Sequence, residues 1–371
     1  MPVPIHIKNA NRYFFRIATG ITLVLLLYIV SSCKHEKLPP AAIHQRGYRM
    51  GFQNFPPKAD ANTILQALNM WTQRSDAAII SVQVPWQSLY SGTSPETYID
   101  NNFAQLVDFY RSKNLKLWVY IDPANGLDRT ADATDLAALH KSIAQVPVQK
   151  VYERFCFLMD SLLKPDHMGL ALETNLIRGS SPDSIYQGIK SAASQTAVLI
   201  SAYDHNVRLS VSVQADYAWG LLTAGSYQGV DKDFIDFPFM QELGISSYPY
   251  FVFDKPQDIP LNYYARLVEG HSIPIFISEG GWSSQTVTSF TGTPQKQQDY
   301  IDRQAQLLSQ VNAIAYFQLL FSDLNVAALP AGVPDNVNLF AHIGLTDTTL
   351  QPKPALKNWD TLFNQKLVTG N

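Results

Sequence analysis

The chain is poor in cysteine, with two in 371 residues, Cys33 and Cys156. A disulfide-built scaffold is therefore excluded, and no intrachain disulfide is expected. Cys156 lies within a helix-like run, Tyr152-Glu153-Arg154-Phe155-Cys156-Phe157-Leu158, and reads as core. No Gly-rich phosphate loop follows an early strand-like run; those runs end in Gln-Asn-Phe-Pro-Pro, Val-Pro-Trp and Asp-Pro-Ala-Asn-Gly. Nucleotide chemistry of the doubly wound kind has no foothold there. The eight histidines include no His-x-His or His-Glu-x-x-His pair. A zinc hydrolase is unsupported, and no metal or cofactor is expected. His167 and His205 precede strand-like runs and read as surface or capping residues. Asp231 and Asp233 read as a solvated loop, and Ser283-Ser284 lacks the strand–turn–helix context of a nucleophile elbow. Basic excess is also missing, with 28 Lys and Arg against 31 Asp and Glu. Nucleic acid is thereby excluded as the main partner.

One long apolar run is present, at 17–30, behind Lys8, Arg12 and Arg16. It is shorter than the roughly 20 residues a permanent span needs and fits the core of a secretory signal peptide. Val30-Ser31-Ser32-Cys33 resembles a bacterial lipobox. That resemblance implies cleavage before Cys33, its lipidation, and membrane anchoring in the bacterial cell envelope, with the outer membrane favoured. Removal of 1–32 takes away three positive charges and no acidic ones, so the net charge of −3 becomes −3 − 3 = −6. Residues 33–47, with Pro39-Pro40, read as lipidated cysteine and tether. Residues 48–365 read as one domain, expected to be monomeric.

That domain alternates short β-rich runs with longer amphipathic ones. Strands are predicted at 48–53, 77–84, 115–121, 168–172, 208–214, 244–247, 273–278 and 313–320. Apolar strands alternating with helices imply a parallel sheet covered on both faces. Eight units imply closure into a (β/α)8 TIM barrel; the competing arrangement is an open doubly wound sheet.

A barrel of this kind places function at the C-terminal strand ends. Those ends are rich in polar and aromatic groups: Gln83 and Trp86 on the second, Asp122 on the third, and Glu173 and Asn175 on the fourth. Gln214, Asp216 and Trp219 follow the fifth, Tyr248 the sixth, Glu279 and Trp282 the seventh, and Gln318 closes the eighth. Tryptophans there, Trp118 included, suit stacking against sugar faces, with rim packing as the alternative.

Ile277-Ser278-Glu279-Gly280-Gly281-Trp282 resembles the strand-seven nucleophile motif of clan A glycoside hydrolases. Ile245-Ser246-Ser247-Tyr248-Pro249-Tyr250 resembles the strand-six segment of the family 53 endo-β-1,4-galactanases, and Leu117–Pro123 resembles their third strand. Gly344-Leu345-Thr346-Asp347 with Pro352-Lys353-Pro354 resembles their tail. The resemblance implies a retaining glycosidase with Glu279 as nucleophile, Glu173 as acid/base, and Tyr248 donating a hydrogen bond to Glu279. It implies a poly- or oligosaccharide substrate held by the remaining strand-end residues. Two positions depart from the pattern. Leu172 stands where the clan has an asparagine before the acid, with Asn175 two residues after it instead. The second strand lacks the usual arginine, and Gln83 falls in that region. The alternative reading is a non-catalytic glycan-binding lipoprotein on a degenerate barrel.

Overall fold

The computed structural model describes residues 45–368, apart from 54, 59, 224 and 330–332. The signal peptide and Cys33 lie outside the described residues. Eight parallel strands close into a barrel: β1 (Arg49–Gln53), β2 (Ala77–Gln83), β3 (Lys116–Asp122), β4 (His167–Gly169), β5 (Arg208–Gln214), β6 (Glu242–Ser247), β7 (Ile275–Gly280) and β8 (Ala313–Gln318). β8 pairs with β1, from Ala315 opposite Arg49 to Gln318 opposite Phe52. The predicted TIM barrel is the observed fold. No helix among the described residues is long and apolar enough to cross a membrane.

The barrel interior is plugged by aromatics set against glycines. Trp118, Tyr120, Phe276 and Phe317 form an interior cluster with Ala77, Ile79, Leu172 and Ala315. A Cβ on Gly169 would sit 2.2 Å from the Tyr120 ring, and one on Gly244 would sit 2.4 Å from the Tyr120 hydroxyl. Glycine at both positions is what lets the tyrosine lie across the barrel. At the N-terminal end Trp118 stacks on His167 with centroids 3.7 Å apart. His167 Nδ1 lies 2.8 Å from a buried Glu242 oxygen. His167 is thus a strand residue packed beneath the interior cluster, not a surface cap.

Two other expectations shift. The tether was predicted to reach Gly47, but Gln45–Arg46 pair in parallel with Lys366–Leu367. Arg46 is buried and sits 2.5 Å from Asp76, with the Phe363 ring beneath its guanidinium. The fourth strand was predicted over 168–172; the regular ladder runs to Gly169, and Leu170 N and Ala171 O still hydrogen-bond to Ser210 O and Ser212 N of β5. Beyond them Leu172 turns into the interior cluster. The backbone leaves the sheet after Ala171, and that departure positions the site.

Candidate active site

Two irregularities carry the two glutamates to the C-terminal mouth. After β4 the chain turns at Glu173, which holds φ 48° and ψ 45°, the left-handed region. A non-glycine residue there costs of order 1–3 kcal/mol and persists only where its surroundings enforce it. Ser212 Oγ accepts from the Glu173 N–H at 3.0 Å, and the helix Thr174–Ser180 begins at once. On β7, Ile277 pairs with Ile245 but Glu279 pairs with Ser246. Two residues there oppose one, a bulge that re-aims Glu279 into the layer of Ser246.

The glutamates meet around that serine. Buried Ser246 Oγ donates to Glu173 Oε1 at 2.6 Å and also lies beside the Glu279 carboxylate, which it stabilises. The other Glu173 oxygen accepts from Arg129 Nε at 2.8 Å. Arg129 also donates from Nη1 to Asp122 at 2.7 Å. Asp122, Arg129 and Glu173 are nearly buried, at 5%, 7% and 7% exposure, so the triad is screened from bulk water. Burial disfavours the arginine's charge, yet the two carboxylates together hold it more firmly protonated than usual. Burial lifts Asp122 above the usual range against the pull of Arg129.

Glu279 has no hydrogen-bond partner within normal distance among the described residues, although its side chain is only partly buried. Burial first, and then the charge of Glu173, push its pKa up to about 7 against the pull of Arg129 and Ser246. Glu279 is therefore held nearer to its neutral form than an exposed glutamate would be.

Arg129 is the residue that sequence reasoning missed. It lies on a two-stranded hairpin, Ala124–Asn125 against Asp128–Asp132, which folds back over the mouth after β3. The sequence signal was weak: Asn125 pairs with Asp128, so the two-residue loop is Gly126-Leu127 rather than an Asn-Gly turn. Ser246 and Ser212 were also missed, because a serine in a strand carries no motif.

The predicted residues divide sharply. Glu173, Glu279 and Asp122 converge, and Gln83 is exposed at the mouth with Nε2 donating to Ala124 O at 3.0 Å. Buried Tyr248 lies close enough to Glu279 and Glu173 for their charges, added to burial, to hold its phenol well above the usual range. Its hydroxyl has no partner among the described residues, so the expected donation to Glu279 is absent in this state.

Others are corrected. Asn175 is buried and spent on β5: Nδ2 donates to Gln214 O at 2.9 Å and Oδ1 accepts from Gln214 N at 2.8 Å. After the left-handed turn at Glu173, Asn175 faces β5 with its amide engaged by the Gln214 backbone. Gln214 caps the next short helix, accepting from Tyr217 N at 2.6 Å. Fully buried Asp216 accepts from Tyr248 N at 3.0 Å and from the Tyr263 hydroxyl. Gln318 is fully buried and donates to Ile343 O at 2.8 Å. Trp86, Trp118 and Trp282 are core, while Trp219 stacks on Tyr263 at 5.1 Å with Arg266 over its ring. None of the four presents a free face to a ligand. Asp233 is no solvated loop residue: it is fully buried and accepts from Thr174 Oγ1 at 2.7 Å and from both Arg178 terminal nitrogens at 2.8 and 2.9 Å.

No family model matches the chain, and no curated protein matches it. Solved structures do. It is similar to GH5_18 from Bifidobacterium longum subsp. longum ATCC 55813, solved with Manb1-4GlcNAc, at 16% identity and TM-score 0.59, over 87% of this chain and 80% of that one. An exo-β-1,4-mannosidase from Opitutaceae bacterium strain TAV5 gives TM-score 0.64 at 12% identity, over 87% of this chain and 60% of that one. The Ignisphaera aggregans GH53 catalytic domain gives TM-score 0.55 at 13% identity, over 85% of this chain and 91% of that one. At these identities the likeness shows a shared barrel fold. Within this barrel, Glu173 follows β4 and Glu279 lies near the end of β7, in register with Ser246 of β6.

Proposed function

We propose that the protein is a retaining glycoside hydrolase acting on a poly- or oligosaccharide at the cell envelope. The observation that carries this reading is the convergence of two carboxylates from β4 and β7 on one buried hydroxyl at the mouth of such a barrel. In the proposed reaction a Glu279 oxygen attacks the anomeric carbon. The bond to the leaving oxygen breaks, and Glu173 protonates that oxygen. Water then attacks the glycosyl-enzyme, Glu173 takes its proton, and Glu279 departs as carboxylate. Arg129 and Asp122 fix the Glu173 carboxyl, and the raised pKa of Glu279 means that it must give up its resting proton before it attacks.

A second reading has its own support. Arg129 caps Glu173 with a cation, which opposes a general acid, and Leu172 offers nothing to a sugar hydroxyl. Both features suit a barrel that binds glycans without cleaving them.

A glycan panel with wild type and Glu279→Gln, run on whole cells and on a Cys33→Ala variant, separates the readings. Hydrolysis lost by about 10³-fold or more in Glu279→Gln supports the enzyme, and equal activity in both would sink the nucleophile assignment. Binding without cleavage of any glycan favours the second reading. For the proposed lipid anchor, Cys33→Ala should move the protein from the membrane to the soluble fraction; unchanged membrane retention refutes it.

A further inference from the structure

Glu279 is aimed by the bulge on β7, and that bulge has a support outside the carboxylate cluster. Ile277 pairs with Ile245 of β6 and with Tyr316 of β8, and Glu279 pairs with Ser246. Ser278, between them, has no ladder partner among the described residues. Its carbonyl, directly before Glu279 in the chain, accepts from Gln53 Nε2 at 3.1 Å.

Gln53 is the last residue of β1, and β8 lies between β1 and β7 in the barrel. Phe52 packs outward on Trp71 of the helix Ala61–Thr72 and Trp359 of the helix Pro354–Phe363. Strand alternation therefore turns Gln53 into the barrel. The β8–β1 ladder ends one residue earlier, at Gln318 opposite Phe52. The Gln53 side chain thus passes over the end of β8 to reach β7. It is 2% exposed, and its Oε1 has no hydrogen-bond partner among the described residues. An apolar residue would leave no such orphaned acceptor, so a buried amide here is costly unless its N–H is needed. On the other side of Glu279, the Gly280 carbonyl accepts from Leu319 N at 3.0 Å, and a Cβ on Gly280 would sit 2.5 Å from Ser247 O. The nucleophile's backbone is held after Glu279 by the neighbouring strands and before it by the Gln53 side chain.

We propose that Gln53 is a positioning residue for Glu279: its side-chain N–H fixes the Ser278 carbonyl, and through it the bulge that presents the carboxylate to the anomeric carbon. This rests on the glycosidase reading and deepens it. Gln53 touches no reacting atom. Without its N–H the peptide between Ser278 and Glu279 is free to rotate, and Glu279 loses its line of attack. A misplacement of about 1 Å is enough to cost about 10²-fold in rate.

The test uses Gln53→Met in the full chain, which keeps the length and removes the donor. The probes are the 2,4-dinitrophenyl β-galactoside, β-glucoside and β-mannoside. On those that the wild type cleaves, Gln53→Met should lose about 10²-fold in kcat with KM little changed. The same substitution in Glu279→Ala, with azide supplied as the nucleophile, should change the rate by less than about 2-fold. There azide attacks the anomeric carbon, the dinitrophenolate leaves without needing a proton, and the aim of residue 279 no longer matters. Equal losses in both backgrounds show a general packing role and overturn the proposal, as does no loss in either. The glycosidase reading fails separately, if Glu279→Gln is as active as wild type or the wild type cleaves no glycoside. A second measurement needs no turnover: crystal structures of wild type and Gln53→Met. The Glu279 carboxyl should move by about 1 Å or more with β1 in place. A Glu279 that keeps its wild-type position overturns the proposal. Gln53→Asn, whose amide falls one methylene short of Ser278, serves as the second variant in both measurements with the same outcomes expected.

Discussion

Arg129 decides the electrostatics of the mouth. Its guanidinium is shared between two nearly buried carboxylates, each at a normal charge-assisted distance. Such a pair contributes little when compared with an apolar replacement of all its members. Removing the cation alone leaves two carboxylates desolvated side by side, which costs roughly 3–5 kcal/mol. Arg129→Met should therefore destabilise the domain by about that much in urea unfolding at pH 7. The loss should shrink at pH 5, where the abandoned carboxyls can take up protons. A change below about 1 kcal/mol at pH 7 would show the triad to be solvated. At this scale the sequence was legible only where a side chain belongs to a motif. Glu279 was readable from its neighbours Gly280, Gly281 and Trp282. Arg129 was not, because its partners lie 7 and 44 residues away and only the hairpin turn joins them.

At the scale of elements, the strands were legible because burial on both faces writes a continuous apolar run. β5 was read at its observed limits, and β1, β2, β3 and β8 to within two residues. β4 was read too long at its C-terminal end: the regular ladder stops at Gly169, although Leu170 and Ala171 still hydrogen-bond to β5 before the backbone turns at Glu173. Polar strand-end residues were harder to assign, because the same amide binds a sugar or caps a helix, and only the fold decides which. Asn175, Gln214 and Asp216 all went to caps and inter-strand ties. The helix Thr174–Ser180 behind Glu173 is locked by Asp233 on Asp231–Asp236, through Thr174 and the fork of Arg178. That lock holds the left-handed turn. Asp233→Asn keeps the size but removes the charge that pairs with Arg178. It should lower kcat by about 10- to 100-fold with KM little changed, the signature of a displaced reacting group rather than a lost binding contact. Steady-state kinetics on the substrate found in the glycan panel reads this directly. A rise in KM alone would place Asp233 in substrate binding instead.

The whole molecule should respond to pH through two opposed sets of carboxyls. Asp236 is pulled down to about 2 by Lys190, Tyr186 and Lys232, which together outweigh its burial. Its folded-state pKa lies below the usual value, so its stabilisation is present above about pH 4 and is lost as pH falls towards 2. Asp160 behaves in the opposite way. It is fully buried on the helix Val146–Leu163, and neither carboxyl oxygen has a hydrogen-bond partner among the described residues. Burial, and then Asp204, raise its pKa from 3.8 to about 7. Glu279 rises from 4.5 to about 7. For both, the folded state holds a proton that the unfolded chain has already released, so stability falls as pH rises from about 4 through about 7. Each such group therefore subtracts from stability once pH exceeds its folded-state value. Thermal stability should peak near pH 4 and decline towards pH 8. Asp160→Asn, which cannot ionise, should stabilise more at pH 8 than at pH 5. Glu279→Gln should stabilise in the same direction while abolishing the proposed activity, as expected of a group kept for chemistry at a cost in stability. Melting curves of the three proteins at pH 5 and pH 8 check this. A wild-type melting temperature that is flat or rising between those values would mean that Asp160 and Glu279 are wetter than their burial implies.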